Sequence, residues 1–156
     1  MTKPTSRQRC EHCDSTFLLT PKDKKLILSG APVLCSASCL RKFILNTKGR
    51  KPIEGVPLPL GLPKAPSNEL RSGSERTLRE WLTKYFIKFD YEPFAIRLAE
   101  GDRYVPDFYL PEHYLALECK GYWGIGVKEK MRRVLDEGHS VLVVPDCLVR
   151  KLKSDL

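Results

Sequence analysis

Three side chains in the second half of the chain have the types and spacing of a hydrolytic site: Asp107, Glu118 and Lys120. Their relation rests on one hairpin. If residues 111–114 form a four-residue loop, Leu110 faces Leu115, Tyr109 faces Ala116, Phe108 faces Leu117 and Asp107 faces Glu118. Alternation then puts Pro106, Phe108 and Leu110 on one apolar face with Leu115, Leu117 and Cys119, and puts Asp107, Glu118 and Lys120 on the other. Two carboxylates directly opposite one another destabilise a sheet. A hard cation bridging them removes the repulsion, and magnesium and manganese choose oxygen ligands. Lys120, two residues beyond Glu118 on the same face, is placed to touch an attacking water or a phosphate oxygen. This is equipment for metal-assisted phosphodiester hydrolysis, in which the ion lowers the pKa of water and the cations offset charge in the transition state. The same residues also fit an ordinary surface ion pair, and spacing alone leaves both readings open.

A second constellation lies near the start of the chain. Cys10 and Cys13 form a CxxC pair, and after 21 residues Cys35 and Cys39 form CxxxC. Two close thiolate pairs on separate turns supply the tetrahedral set that zinc prefers. The second pair runs into a helical pattern, SCLRKFIL, so Cys39 is expected on a first helical turn. Residues 17–34 are expected to make a hairpin around Pro21 and Gly30. The module then resembles treble-clef-like fingers, with zinc as a structural ion. A unit of fewer than about 50 residues rarely holds without metal or disulfides. His12 sits inside the knuckle, but four cysteines make it unnecessary as a ligand.

The elements that must position these groups divide the chain into three. Residues 1–46 are the cysteine module, residues 47–70 a proline-rich linker with Pro52, Pro57, Pro59, Pro63 and Pro66, and residues 71–156 a domain of alternating strands and helices. Ser72 and Glu75 have the S-x-x-E capping-box spacing before Leu78, Trp81, Leu82, Tyr85 and Phe86 at helical intervals. Strands are expected over 90–98, 103–110 and 115–120, a helix over 125–137, a buried strand over 140–145 and a helix over 147–155.

The chain has 156 residues and a net charge of +8. Residues 1–51 hold 11 Lys/Arg against 3 Asp/Glu, and the remainder balances at 16 of each, so the excess belongs to the first third of the chain. Such a segment suits a polyanion, nucleic acid above all. The candidate DNA contacts are Lys22, Lys24, Lys25, Arg41, Lys42, Arg71, Trp123 and Lys128. Trp123 follows the catalytic-type strand and could stack on a base or cover a core edge. The longest apolar run, residues 141–144, is too short to cross a membrane, and the first residues lack the apolar stretch of a secretory signal. Six cysteines in that context point to a reducing compartment.

Val105-Pro106-Asp107 followed by Glu118-Cys119-Lys120 resembles the PD-(D/E)xK signature of the restriction-endonuclease-like nucleases. Residues 71–75, 87–92, 105–111 and 118–123 are most similar to the Holliday-junction resolvases of the bacteriophage endonuclease I type, and the resemblance covers residues 71–145. It implies an α/β (α+β) fold, a mixed sheet flanked by helices. It implies that Asp107 and Glu118 bind magnesium or manganese, with the Cys119 backbone carbonyl as a further ligand. Lys120 would be the catalytic lysine and Glu75 an additional carboxylate. It also implies DNA as partner, a homodimer, and a cytoplasmic setting in a bacterial or phage-infected cell. The cysteine module and linker depart from that pattern. The expected function is a metal-dependent DNA endonuclease selective for branched DNA. The alternatives are a sequence-specific or site-directed endonuclease of homing, restriction or transposon-end type, and a non-catalytic zinc-finger DNA-binding adaptor.

Overall fold

The CxxC turn sits at the tip of a two-stranded hairpin, β1 (Ser6–Arg9) against β2 (Thr16–Leu19). The structure is a computed structural model that describes residues 6–28, 31–47, 57–58, 70 and 72–156. After β2 the chain turns into α1 (Pro21–Leu26), where the Thr20 hydroxyl accepts the Asp23 amide at 3.2 Å. The hairpin expected around Pro21 is therefore a helix start. Proline has the right φ for a first helical position and no N–H to lose there; Gly30 lies outside the described residues. α2 (Ala37–Leu45) begins at Ser36, whose hydroxyl accepts the Cys39 amide at 3.1 Å, so Cys39 does lie on the first turn.

The linker contributes a short strand, β3 (Pro57–Leu58). α3 (Gly73–Lys84) starts as the capping box requires, with Ser72 Oγ accepting the Glu75 amide at 3.2 Å. The single strand expected over 90–98 is two: β4 (Asp90–Tyr91) and β5 (Ala95–Arg97). Glu92 takes a left-handed φ of 41° and Pro93 has no N–H to give a ladder, so the chain leaves one sheet for another. The strand expected over 103–110 divides likewise, into β6 (Arg103–Tyr104) and β7 (Phe108–Leu110), on either side of Pro106 and Asp107. Then follow β8 (Leu115–Lys120), α4 (Val127–Asp136), β9 (Val141–Pro145) and α5 (Asp146–Asp155).

β4, β7, β8 and β9 form a mixed four-stranded sheet in that order, antiparallel except for β8 with β9. β3, β5 and β6 form a second, antiparallel sheet. The hairpin register is the one the apolar pattern demands: Phe108 opposite Leu117, Tyr109 opposite Ala116 and Leu110 opposite Leu115. Alternation along β8 and β9 feeds two cores. Leu115, Leu117, Cys119, Leu142 and Val144 pack with α3 and α5, while Ala116, Val141 and Val143 pack with Met131 and Val134 of α4. The second face, expected to be polar, is thus also covered.

The cysteine module does not hang from its linker. Cys10, Leu34, Leu40 and Ile44 belong to the same apolar cluster as Leu78, Trp81, Leu82 and Leu152. Polar contacts close the seam: Arg150 pairs with buried Asp23 at 3.1 Å, Lys22 lies 3.7 Å from Asp146, and Lys151 Nζ donates to the Cys35 carbonyl at 2.6 Å. The apolar face of α2 has too little partner surface inside so small a module, and α3 and α5 supply it. No helix among the described residues is long and apolar enough to cross a membrane.

Candidate active site and cysteine cluster

Glu118 is at the centre of the candidate site, 5% exposed on a strand covered from both sides. Both of its oxygens are engaged. Oε1 lies 2.5 Å from Lys120 Nζ, and Oε2 accepts the Tyr104 hydroxyl at 2.8 Å. A carboxylate this deep needs a counter-charge and hydrogen bonds to offset its lost hydration. Burial, and then the Glu118 charge, push the Tyr104 phenol well above its ordinary range, so Tyr104 is a permanent donor. Burial draws the Lys120 ammonium down, but Glu118 beside it outweighs this and the net direction is up. Lys120 is therefore a cation at neutral pH. This is not the exposed ion pair that spacing alone also allowed.

Asp107 lies in the bend between β6 and β7 and accepts the Cys119 amide at 2.8 Å through Oδ2. Residues of a strand direct their N–H and C=O to the same side, so the Cys119 carbonyl faces the Asp107 side as well. Burial, and then the negative charge of Glu118, push the Asp107 carboxyl up to about 7; the Cys119 amide and Lys120 oppose this, and Glu75 adds to it. Glu75 stands on the first turn of α3, 8% exposed, with Oε2 accepting the Tyr91 hydroxyl at 2.8 Å.

The fold thus brings Glu75, Asp107, Glu118 and Lys120 into one electrostatic neighbourhood. Asp107 and Glu118 lie beside Lys120, and carboxylates so placed suit a divalent cation. Among the described residues the group of three or more His, Cys, Asp or Glu side chains close enough to hold a metal ion is that of the four cysteines, not the carboxylates. Tyr104 and Tyr91 were not among the residues singled out from sequence. The signal that could have found them is a phenol on each strand flanking the acidic motif, but it is readable only once the breaks at Pro93 and Pro106 set the strand pairings.

The cysteine cluster is tighter. Sγ of Cys13 lies 3.6 Å from that of Cys35, which lies 3.5 Å from that of Cys39, and all four sulfurs fall within 4.8 Å of one another. A tetrahedron of Zn–S bonds of about 2.3 Å has S–S edges of roughly 3.8 Å, so Cys10, Cys13, Cys35 and Cys39 fit a structural metal such as zinc. None of the six cysteines is in a disulfide. The Cys35 amide points at Cys10 Sγ at 3.4 Å. Hydrogen bonds from the hydroxyl and amide of Ser15 pull the Cys13 thiol down to about 6, the direction a metal ligand needs, while burial pushes Cys35 up to about 12. A cation among the sulfurs would resolve that opposition.

The expected DNA contacts are scattered. Arg41 lies over the Tyr85 ring, 4.8 Å from its centroid, and Lys22 faces Asp146, so both work at the seam between module and core. Lys24, Lys25 and Lys42 are exposed, and Lys128 is half-buried at the start of α4. Trp123 is half-buried against the second core, with Lys120 Nζ 5.8 Å from its ring centroid. Arg71 lies outside the described residues. Compared with protein-family models, curated proteins and solved structures, the chain matches none.

Proposed function

We propose that the protein is a metal-dependent DNA endonuclease with a restriction-endonuclease-like core, acting on branched DNA, and that its four cysteines hold a structural zinc ion. The observation that carries this reading is the buried Glu118, held between Lys120 and Tyr104, with the buried Asp107 close enough for the Glu118 charge to raise its carboxyl. Buried acidic groups in this arrangement are costly for a fold, and they suit a divalent cation and a phosphodiester.

Asp107 and Glu118 would hold magnesium or manganese, with the Cys119 carbonyl on the same side. Bound there, the ion would acidify a water and offset charge on the phosphoryl group. Lys120 remains protonated and orients the nucleophile or contacts the scissile phosphate. Tyr104 fixes the Glu118 carboxylate so that Oε1 is the oxygen turned toward Lys120. The Tyr91 hydroxyl donates to Glu75 Oε2 and holds that carboxylate in place. The basic first third of the chain, with its cysteine module docked on the core, supplies the long-range attraction to DNA that the neutral residues 52–156 lack.

The test is cleavage by the purified protein with magnesium or manganese. The panel is linear duplex, single strand, flap, four-way junction and supercoiled plasmid, with Lys120→Ala as control. Junction cutting that disappears in Lys120→Ala is expected. Cutting of one sequence regardless of structure would move the assignment to a site-directed endonuclease. DNA binding with no cutting of any substrate would favour an adaptor. The reading takes the active species as a homodimer, which light scattering of the free protein checks.

A further inference from the structure

The loop between β8 and α4, residues 121–126, leaves two large apolar side chains in water directly after the candidate catalytic lysine. Tyr122 is 79% exposed and Ile125 is fully exposed. Between them Trp123 is anchored in the second core and lies under the Lys120 ammonium. Gly124 separates Trp123 from Ile125, Gly121 and Gly126 flank the stretch, and Gly126 sits at a left-handed φ of 76° before the first turn of α4. The loop is pinned at its middle and aims its flanks outward. Lys128 and Lys130 follow at once on α4.

We infer that Tyr122 and Ile125 insert among, and unstack, the bases beside the cleaved phosphate. The inference rests on the nuclease reading. Chain reach limits Tyr122 to about 7 Å and Ile125 to about 18 Å from Lys120, Cα to Cα. With about 3.4 Å per nucleotide along a strand, these are roughly the two to five nucleotides nearest a phosphate held at Lys120. Aromatic faces stack on bases of any sequence, and aliphatic side chains wedge between base steps and kink the duplex. Lys128 and Lys130 would take the phosphates on the far side of the opened step. Single exposed apolar residues are ordinary on protein surfaces. Two of them within four positions, both beside the reactive centre and flanked by cations, form a contact surface for nucleobases.

The experiment uses an immobile four-way junction with 2-aminopurine next to the cut position, bound in calcium instead of magnesium, so that unstacking is read as fluorescence without turnover. Cleavage rates are measured in parallel with magnesium, on that junction and on one whose cut site is already unpaired by mismatches. Wild type should brighten the probe on binding. Tyr122→Ala and Ile125→Ala should lose at least half of that gain, and should cut the paired junction about tenfold more slowly but the mismatched one within about threefold of wild type. Tyr122→Phe, which keeps the ring, should behave as wild type. No brightening by wild type, or brightening and cleavage unchanged in both alanine variants, would overturn the inference. If wild type cuts nothing yet the brightening depends on Tyr122 and Ile125, the nuclease reading fails and the base contact stands.

Discussion

The Tyr104 hydroxyl donates to Glu118 Oε2 at 2.8 Å, and both groups are almost wholly buried. Replacing Tyr104 by phenylalanine keeps the ring and leaves one oxygen of a buried carboxylate without its donor. An unmade hydrogen bond to a buried charge costs about 1–3 kcal/mol. Tyr104→Phe should therefore lower stability by that amount and raise the magnesium concentration needed for half-maximal cleavage. A metal titration of cleavage rate beside a denaturant curve tests both halves, and a wild-type metal requirement would remove Tyr104 from the site.

Asp107 gives the chain a pH signature. Its carboxyl is raised to about 7 from an ordinary 3.8, chiefly by burial and by Glu118. Between those two values the folded state holds a proton that the unfolded state has released, so stability in magnesium-free buffer falls as pH climbs from about 4 to about 7. The upper bound is about 4 kcal/mol for three pH units, and solvent at this half-buried group brings the expectation to about 1–3 kcal/mol. Asp107→Asn should flatten this part of the curve, stabilise the protein at pH 8 and abolish cleavage. Denaturation at pH 5, 7 and 8 for both proteins is the check, and parallel curves would contradict the placement of Asp107.

The cysteine cluster shares its core with α3. Cys35→Ser should remove the bound metal, measured as a fall from about one zinc per chain to none by elemental analysis. Because Cys10 and Cys39 lie in the same cluster as Trp81, the variant should also red-shift tryptophan emission and lower the melting temperature of the whole chain. Zinc-free wild-type protein of full stability would refute the assignment of the cluster.

The seam has a polar test. Asp23 is 3% exposed and accepts from the Thr20 hydroxyl at 2.7 Å and from Arg150 at 3.1 Å. Arg150→Ala leaves that carboxylate half-satisfied. The arginine is itself more than half exposed, so the expected loss is about 1–2 kcal/mol rather than the larger cost of a fully buried pair. The double variant Asp23→Asn with Arg150→Ala should recover part of it, and additive losses would mean that the two do not interact.

What was legible from sequence was whatever depends on local pattern. The register of Phe108, Tyr109 and Leu110 against Leu117, Ala116 and Leu115 follows from apolar alternation and loop length, and it is the register observed. Ser36 and Ser72 cap their helices because hydroxyl-to-amide bonds are short-range. Contacts between elements far apart in the chain were less legible. Nothing local says that Pro93 sends the chain into a second sheet, that Tyr104 returns to Glu118, or that Asp23 meets Arg150. The burial of the acidic face was missed for the same reason. Period-two alternation along β8 describes one covered side, and only the packing of α4 and of the second sheet, through Ile96 and Tyr104, covers the other.

The shared cluster of Leu40 and Ile44 with Leu78, Trp81 and Leu152 has a consequence for engineering. Fingers carried on flexible tethers can be exchanged between proteins to retarget them. Here, exchange would strip one wall from the interior of its neighbour. A chimaera would have to import α2 with its apolar face intact, together with Asp23 for Arg150 and a carbonyl for Lys151. The module and the core are best treated as one inheritable unit, and retargeting is better attempted on surface loops than by transplanting the N-terminal third.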